Sequence, residues 1–175
     1  MIILETDRLT LRRLVPDDLD ALYALYRDPE MRQYFPVEGA SPDRTLTREE
    51  TKEELDWFLD GHPKHPELGL WATILKETGK FIGRCGLCPM DIEGKEEIEV
   101  AYMLDSKYWG QGLATEAAQA ILHHGFERVG VKRLICVINP NNIASARVAE
   151  KIGMRLEIDG DVNGEPTLLY TLNKP

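Results

Sequence analysis

Tyr108-Trp109-Gly110-Gln111-Gly112-Leu113-Ala114-Thr115 decides how this chain reads. Two glycines, a small residue and a hydroxyl stand between an extended apolar run ending at Leu104 and an amphipathic stretch from about Leu113 to Val129. Glycine has no Cβ, so successive backbone N–H groups can turn toward one anion, and the N-terminus of the following helix adds positive partial charge. The spacing predicts a cradle for a pyrophosphate. The same residues would also serve as plain strand-to-helix turn chemistry, so the neighbouring segments must decide.

Upstream, Leu68 to Lys76, Lys80 to Met90 and Glu96 to Leu104 read as an antiparallel meander, joined by Glu77-Thr78-Gly79 and by Asp91-Ile92-Glu93-Gly94-Lys95. Before it come a strand from Thr10 to Val15, a helix opened by Pro16-Asp17-Asp18 and ended by Asp28-Pro29, and a loop from Tyr34 to Arg44. A second helix follows, with Thr47-Arg48-Glu49-Glu50 as its capping box. Downstream lie a helix from Leu113 to Val129 stopped by Gly130, a buried strand Arg133 to Ile138, a helix from Ile143 to Ile152 ended by Gly153, and strands Arg155 to Ile158 and Thr167 to Leu172. The order β-α-α-β-β-β-α-β-α-β-β is neither doubly wound nor all-β. It implies an α/β (α+β) fold with a central mixed, mostly antiparallel sheet of six to seven strands and about four helices on both faces.

At 175 residues one domain spanning 1–175 is expected. No segment approaches the apolar length of a membrane helix, and the start lacks a secretory pattern, so a cytoplasmic protein is expected. A formal charge of -9 argues against nucleic acid or an anionic membrane as partner and suits an amine substrate slightly better, although acidity by itself is explained by solubility. Cys85-Gly86-Leu87-Cys88 has the spacing of a redox or zinc motif, but it falls in a predicted strand, where side chains three apart face opposite ways, so packing is expected. The four histidines lack ligand spacing with a third donor, and no metal is expected.

Tyr102-Met103-Leu104-Asp105, then Trp109 to Ala117, then Asn139-Pro140-Asn141-Asn142-Ile143-Ala144-Ser145 with Lys151-Ile152-Gly153-Met154, resemble in order and spacing the GNAT superfamily of N-acetyltransferases. Thr6-Asp7-Arg8-Leu9-Thr10-Leu11-Arg12 and Asp28-Pro29-Glu30-Met31 resemble the subgroup of ribosomal-protein N-terminal alanine and serine acetyltransferases. The resemblance implies acetyl-CoA as co-substrate, held in a splay between the strand ending at Leu104 and the strand starting near Arg133. It also implies direct transfer of acetyl to a primary amine through a tetrahedral oxyanion. The family's loop has Arg or Gln where this chain has Trp109, whereas Gly112 and Ala114 match the last two fixed positions.

The resemblance makes Gly110, Gln111, Gly112, Ala114 and Thr115 the pyrophosphate loop, and Met103 and Leu104 main-chain partners of the pantetheine arm and the oxyanion. Asn139 is expected to meet the pantetheine amides. Asn142 could do so too but is expected chiefly to cap the next helix. Strand alternation puts Glu97 and Glu99 on one face, and Glu99 is the expected base, directly or through water. Many relatives supply the acid from a tyrosine in the helix after the fifth strand. None occurs between Tyr108 and Tyr170, so Ser145 is expected to stabilise the departing thiolate. Tyr26, Tyr34, Phe35, Trp57 and Trp71 could shape the acceptor pocket, with core packing expected for the two tryptophans. The acceptor is a protein or peptide N-terminus or a small-molecule amine. An amino sugar, polyamine or antibiotic, or a CoA sensor without turnover, is the alternative, and either a monomer or a homodimer fits.

Overall fold

The computed structural model describes residues 1–35, 44–62 and 64–175. Its strands are β1 Ile2–Glu5, β2 Leu9–Arg12, β3 Gly69–Leu75, β4 Lys80–Ile92, β5 Lys95–Leu104, β6 Arg133–Ile138, β7 Arg155–Val162 and β8 Glu165–Asn173. The helices among the described residues are α1 Leu19–Tyr26, α2 Pro29–Arg32, α3 Arg48–Phe58, α4 Leu113–His124 and α5 Ile143–Lys151. One sheet holds all eight strands in the order β1-β2-β3-β4-β5-β6-β8-β7. Every neighbouring pair is antiparallel except β5 and β6. The mixed, mostly antiparallel sheet is therefore as expected, with eight strands rather than six to seven and five helices rather than about four.

The additions have local causes. β1 is a four-residue edge strand with few buried positions, and it gives no clean alternation. Asp28-Pro29 starts α2 as well as ending α1: the Asp28 carboxylate accepts from Glu30 N–H at 3.0 Å as an N-cap, with proline at the first helical position. Pro16–Asp18 forms a 3-10 turn, so α1 proper begins at Leu19. The capping box at Thr47 and Glu50 is formed as read. Two-residue turns at Glu93-Gly94 and Asn163-Gly164, all four residues at positive φ, close the β4–β5 and β7–β8 hairpins. They carry β4 two residues, β5 one and β7 four beyond the spans expected.

Alternation sorts the sheet into two faces. Leu9, Leu11, Trp71, Ile82, Cys85, Val100 and Leu104 pack with α4 and α5, while Leu70, Ala72 and Met103 pack with α1, α2 and α3. Cys85 and Cys88 accordingly join opposite cores, as expected for strand neighbours three apart. Trp71 is fully buried, edge-on to His124 at 5.6 Å, whereas Trp57 is 54% exposed and belongs to neither core nor pocket. Such burial stabilises by about 1.5–3 kcal/mol per large side chain, which fixes the sheet firmly against both helical layers.

The one parallel contact positions the site. β5 and β6 meet at Glu99 and Ile135 and part beyond them. The strands cannot close the gap, because β4 holds β5 along its whole length and β8 holds β6. The C-terminal half of β5 is left with an open edge.

Candidate active site

Asp105 N–H bonds the Ile82 carbonyl on β4 at 2.8 Å. By alternation Met103 also turns its main-chain groups to β4, and Tyr102 and Leu104 turn theirs toward the open side. Two bonds agree with this parity: the Cys136 thiol donates to Val100 O at 3.2 Å, and Trp109 Nε1 donates to Leu104 O at 2.8 Å. Of the two residues expected to offer main-chain groups, Leu104 has the suitable orientation. Met103 instead presents its side chain to the α1–α3 face.

At the mouth of the splay the loop before α4 has the expected form. Gly110 and Gly112 have φ of +74° and +77°, and Gly112 is the N-cap of α4 with no side chain capping it. The first helical bond runs from Glu116 N–H to Gly112 O, so the Leu113, Ala114 and Thr115 amides point out of the helix end. A Cβ on Gly110 would meet nothing within 4 Å, so the space over the loop is open to a ligand. A diphosphate fits this arrangement in charge and in steric room.

The cleft beneath has a volume of about 320 Å³. Its walls include Gly110, Gly112, Ala114, Thr115, Leu104 and Ser145. Asn142 lines it while capping α5, its Oδ1 accepting from Ser145 N–H at 3.1 Å. Asn139 does not line it; its Oδ1 accepts from Asn141 N–H at 2.9 Å in a local turn. The Gln111 side chain also lies outside, directed toward Lys107 O. Trp109 stands where the family has Arg or Gln and is 39% exposed. Its indole terminates β5 and stands 6.5 Å from the Tyr34 ring, so it shapes the cleft without offering a charge.

Tyr102, which the sequence places next to Met103 in the matching motif without a role, is a further residue of the site. It lines the cleft, and its hydroxyl donates to Ser145 O at 2.8 Å. Burial raises its pKa strongly and keeps it protonated, and with that proton committed to a main-chain carbonyl it serves as a spacer between β5 and α5. Ser145 is thus held through both its N–H and its carbonyl.

Glu99 sits at the apex of the splay, where its Oε1 accepts from Val137 N–H of β6 at 3.2 Å. A carboxylate takes the place of a ladder carbonyl there. Desolvation pushes its pKa up to about 7, against the opposing effects of the Val137 N–H and the Arg84 charge. Glu97, on the same strand face, is tied instead to Lys95 and Arg133 and is structural.

A second cavity of about 280 Å³ lies on the α1–α3 side and meets the cleft at Met31, Phe35 and Met103. Arg32, Arg44, Arg84 and Glu54 line it. Tyr26 OH donates to Glu54 Oε1 at 2.6 Å, and the Arg84 guanidinium lies over the Tyr26 ring at 5.2 Å. Asp28 fixes this side to the cleft, its second carboxylate oxygen accepting from Ser106 N–H at 2.9 Å. Of the aromatic residues expected around the acceptor, Tyr26 and Phe35 line this cavity, whereas Tyr34 lines only the cleft; residues 36–43 of the expected acceptor loop lie outside the described residues.

A profile for the acetyltransferase (GNAT) domain matches residues 8–155. The chain belongs to the GNAT acetyltransferase family. A protein of Bacillus subtilis, YkkB, is 38% identical over 152 residues, covering 86% of this chain and 84% of its own. An N-acetyltransferase of Bacillus licheniformis is 30% identical over 154 residues, covering 88% and 83%. Among solved structures, a GNAT-family acetyltransferase from Bacillus anthracis superposes with a TM-score of 0.78 at 25% identity, covering 99% and 98% of the two chains. A ribosomal L7/L12 alpha-N-protein acetyltransferase solved with coenzyme A shares the fold at a TM-score of 0.77 and 20% identity, covering 99% and 98%. This GNAT protein is an acetyl-CoA-dependent N-acetyltransferase. Among its described residues no helix is long and apolar enough to cross a membrane, and no group of three His, Cys, Asp or Glu is placed to hold a metal ion.

Proposed function

We propose that this acetyltransferase acetylates the primary amine of a peptide N-terminus or small molecule by direct transfer, with the amine arriving from the cavity on the α1–α3 side. The observation that carries this reading is the open edge of β5. It joins the glycine loop at one end, the Glu99 carboxylate at the other and the acceptor cavity at Met103. Bound acetyl-CoA supplies the activated acetyl group and the thiolate leaving group.

The chain's own groups then have distinct tasks. The outward amides of Leu113, Ala114 and Thr115 bind the diphosphate. Leu104 N–H donates to the thioester oxygen as it gains negative charge. Glu99 lines neither cavity directly, so it accepts the amine proton through water; a pKa of about 7 lets it be ionised before the reaction and a competent acceptor during it. Ser145 hydrogen-bonds the departing sulfur.

Arg44, ion-paired with Glu50, and Arg84, ion-paired with Glu54 at 3.5 Å, line the acceptor cavity and keep further guanidinium N–H donors, which a peptide or amino acid can meet with its carbonyl or carboxylate oxygens and a polyamine cannot. The test is thiol release from acetyl-CoA with peptides beginning in serine or alanine, amino acids, polyamines and amino sugars, alongside CoA binding. Turnover confined to carboxylated amines supports the reading. Equal turnover of polyamines overturns the acceptor class, and CoA binding with no turnover on any amine overturns the transferase reading.

A further inference from the structure

The β1–β2 turn is folded over the beginning of α4. Arg8 donates from its backbone N–H to Glu116 Oε1 at 2.9 Å and from Nε to Glu116 Oε2 at 2.6 Å, and Thr6 Oγ1 donates to the same carboxylate. The other arm of the Arg8 fork, Nη1, donates to the Gln111 carbonyl at 2.9 Å, and Nη2 lies 3.5 Å from where a Cβ of Gly112 would stand. One side chain therefore grips both the loop and the first turn of the helix behind it.

Glu116 presents an electrostatic problem that this grip answers. It lies in the first turn of α4, beside the amides assigned to the diphosphate, and its side chain is only 19% exposed. A bare carboxylate there would repel the ligand and compete for the same positive helix end. Donors from Thr6 and Arg8 surround it, and they hold its pKa below the usual carboxylate value despite opposing desolvation. The Nη1 bond fixes the Gln111 carbonyl toward Arg8, leaving the amide side of the cradle toward the ligand.

We propose that Arg8 is the positioning residue of the cofactor site: by neutralising Glu116 and anchoring the Gln111 carbonyl, it keeps the glycine loop receptive to the diphosphate. The inference rests on the assignment of the loop to acetyl-CoA.

The test is calorimetric titration of CoA and dephospho-CoA into the full chain, its Arg8→Ala, Arg8→Lys and Glu116→Gln variants, and the Arg8→Ala/Glu116→Gln double variant. We expect Arg8→Ala to raise the CoA dissociation constant about five- to tenfold, the scale of a charge at a helix terminus. Dephospho-CoA should show the same factor, and Glu116→Gln in the Arg8→Ala background should recover most of it. Arg8→Lys keeps the charge but not the fork, and a two- to threefold loss is expected; it carries the test if the alanine variant does not fold. Unchanged CoA affinity in the Arg8 variants overturns the proposal, as does a double variant weaker than Arg8→Ala, which would mark a purely structural clamp. An effect confined to CoA would assign Arg8 to the 3′-phosphate instead. Absence of CoA binding by the unaltered chain would overturn the loop assignment itself.

Discussion

Replacing Glu99 by glutamine should stabilise the protein at alkaline pH while impairing the reaction. The fold raises the pKa of this carboxyl from an ordinary 4.5 to about 7, chiefly because ionisation would place a charge where protein has displaced water. That displacement corresponds to about 3 kcal/mol of preference for the protonated form, an upper value because the residue is only partly buried and solvent screens part of the charge. The sign follows from proton counting. Between pH 4.5 and 7 the folded chain holds a proton on Glu99 that the unfolded chain has lost, so Glu99 makes folding less favourable as pH rises through this window, and the cost is complete above pH 7. Glutamine is never charged, and its Oε1 can still accept from Val137 N–H, so Glu99→Gln should match the unaltered chain below pH 4.5 and exceed it by up to about 3 kcal/mol at pH 8. Urea unfolding from pH 4 to 8.5 measures this difference, and acetyl transfer should lose its rise through pH 7 in the same variant. A stability difference that does not change with pH would refute the reasoning, because it would show that Glu99 is ordinarily solvated.

Three further substitutions test other parts of the site. Gly112→Val places a branched side chain at φ +77° beside the Arg8 guanidinium; it should cost about 1–2 kcal/mol of stability and weaken CoA binding, both read by titration and thermal unfolding. Ser145→Ala should lower turnover about fivefold, the value of one neutral hydrogen bond, with CoA affinity little changed in a parallel binding assay. Trp109→Phe removes the indole donor from Leu104 O and should lower the melting temperature by about 2–4 °C, leaving diphosphate affinity intact.

What sequence made legible followed local rules. Glycine spacing, capping boxes and period-two alternation depend on neighbours within one turn or one strand, and they located the loop before α4, the start of α3 and the opposed Cys85 and Cys88. Asp28-Pro29 misled because aspartate before proline both terminates one helix and caps the next. The hairpins outran their expected lengths because Glu93 and Asn163 accept positive φ beside a glycine, allowing two-residue turns. Other features have no local signature. Arg8 and Glu116 meet across 108 positions, and the Glu99 bond to Val137 depends on two strands parting at one residue. The choice between Met103 and Leu104 required the phase of the β4–β5 ladder, which Asp105 sets through Ile82. Asn139 and Asn142 are both plausible ligand contacts by composition, and only the path of the chain into α5 separates them.

Amide hydrogen exchange measured with and without CoA tests the central claim most directly. The account predicts slowed exchange at Leu113, Ala114 and Thr115 on the loop side and at Leu104 on the open edge of β5. Unaltered exchange at these amides, with protection appearing elsewhere in the chain, would contradict it.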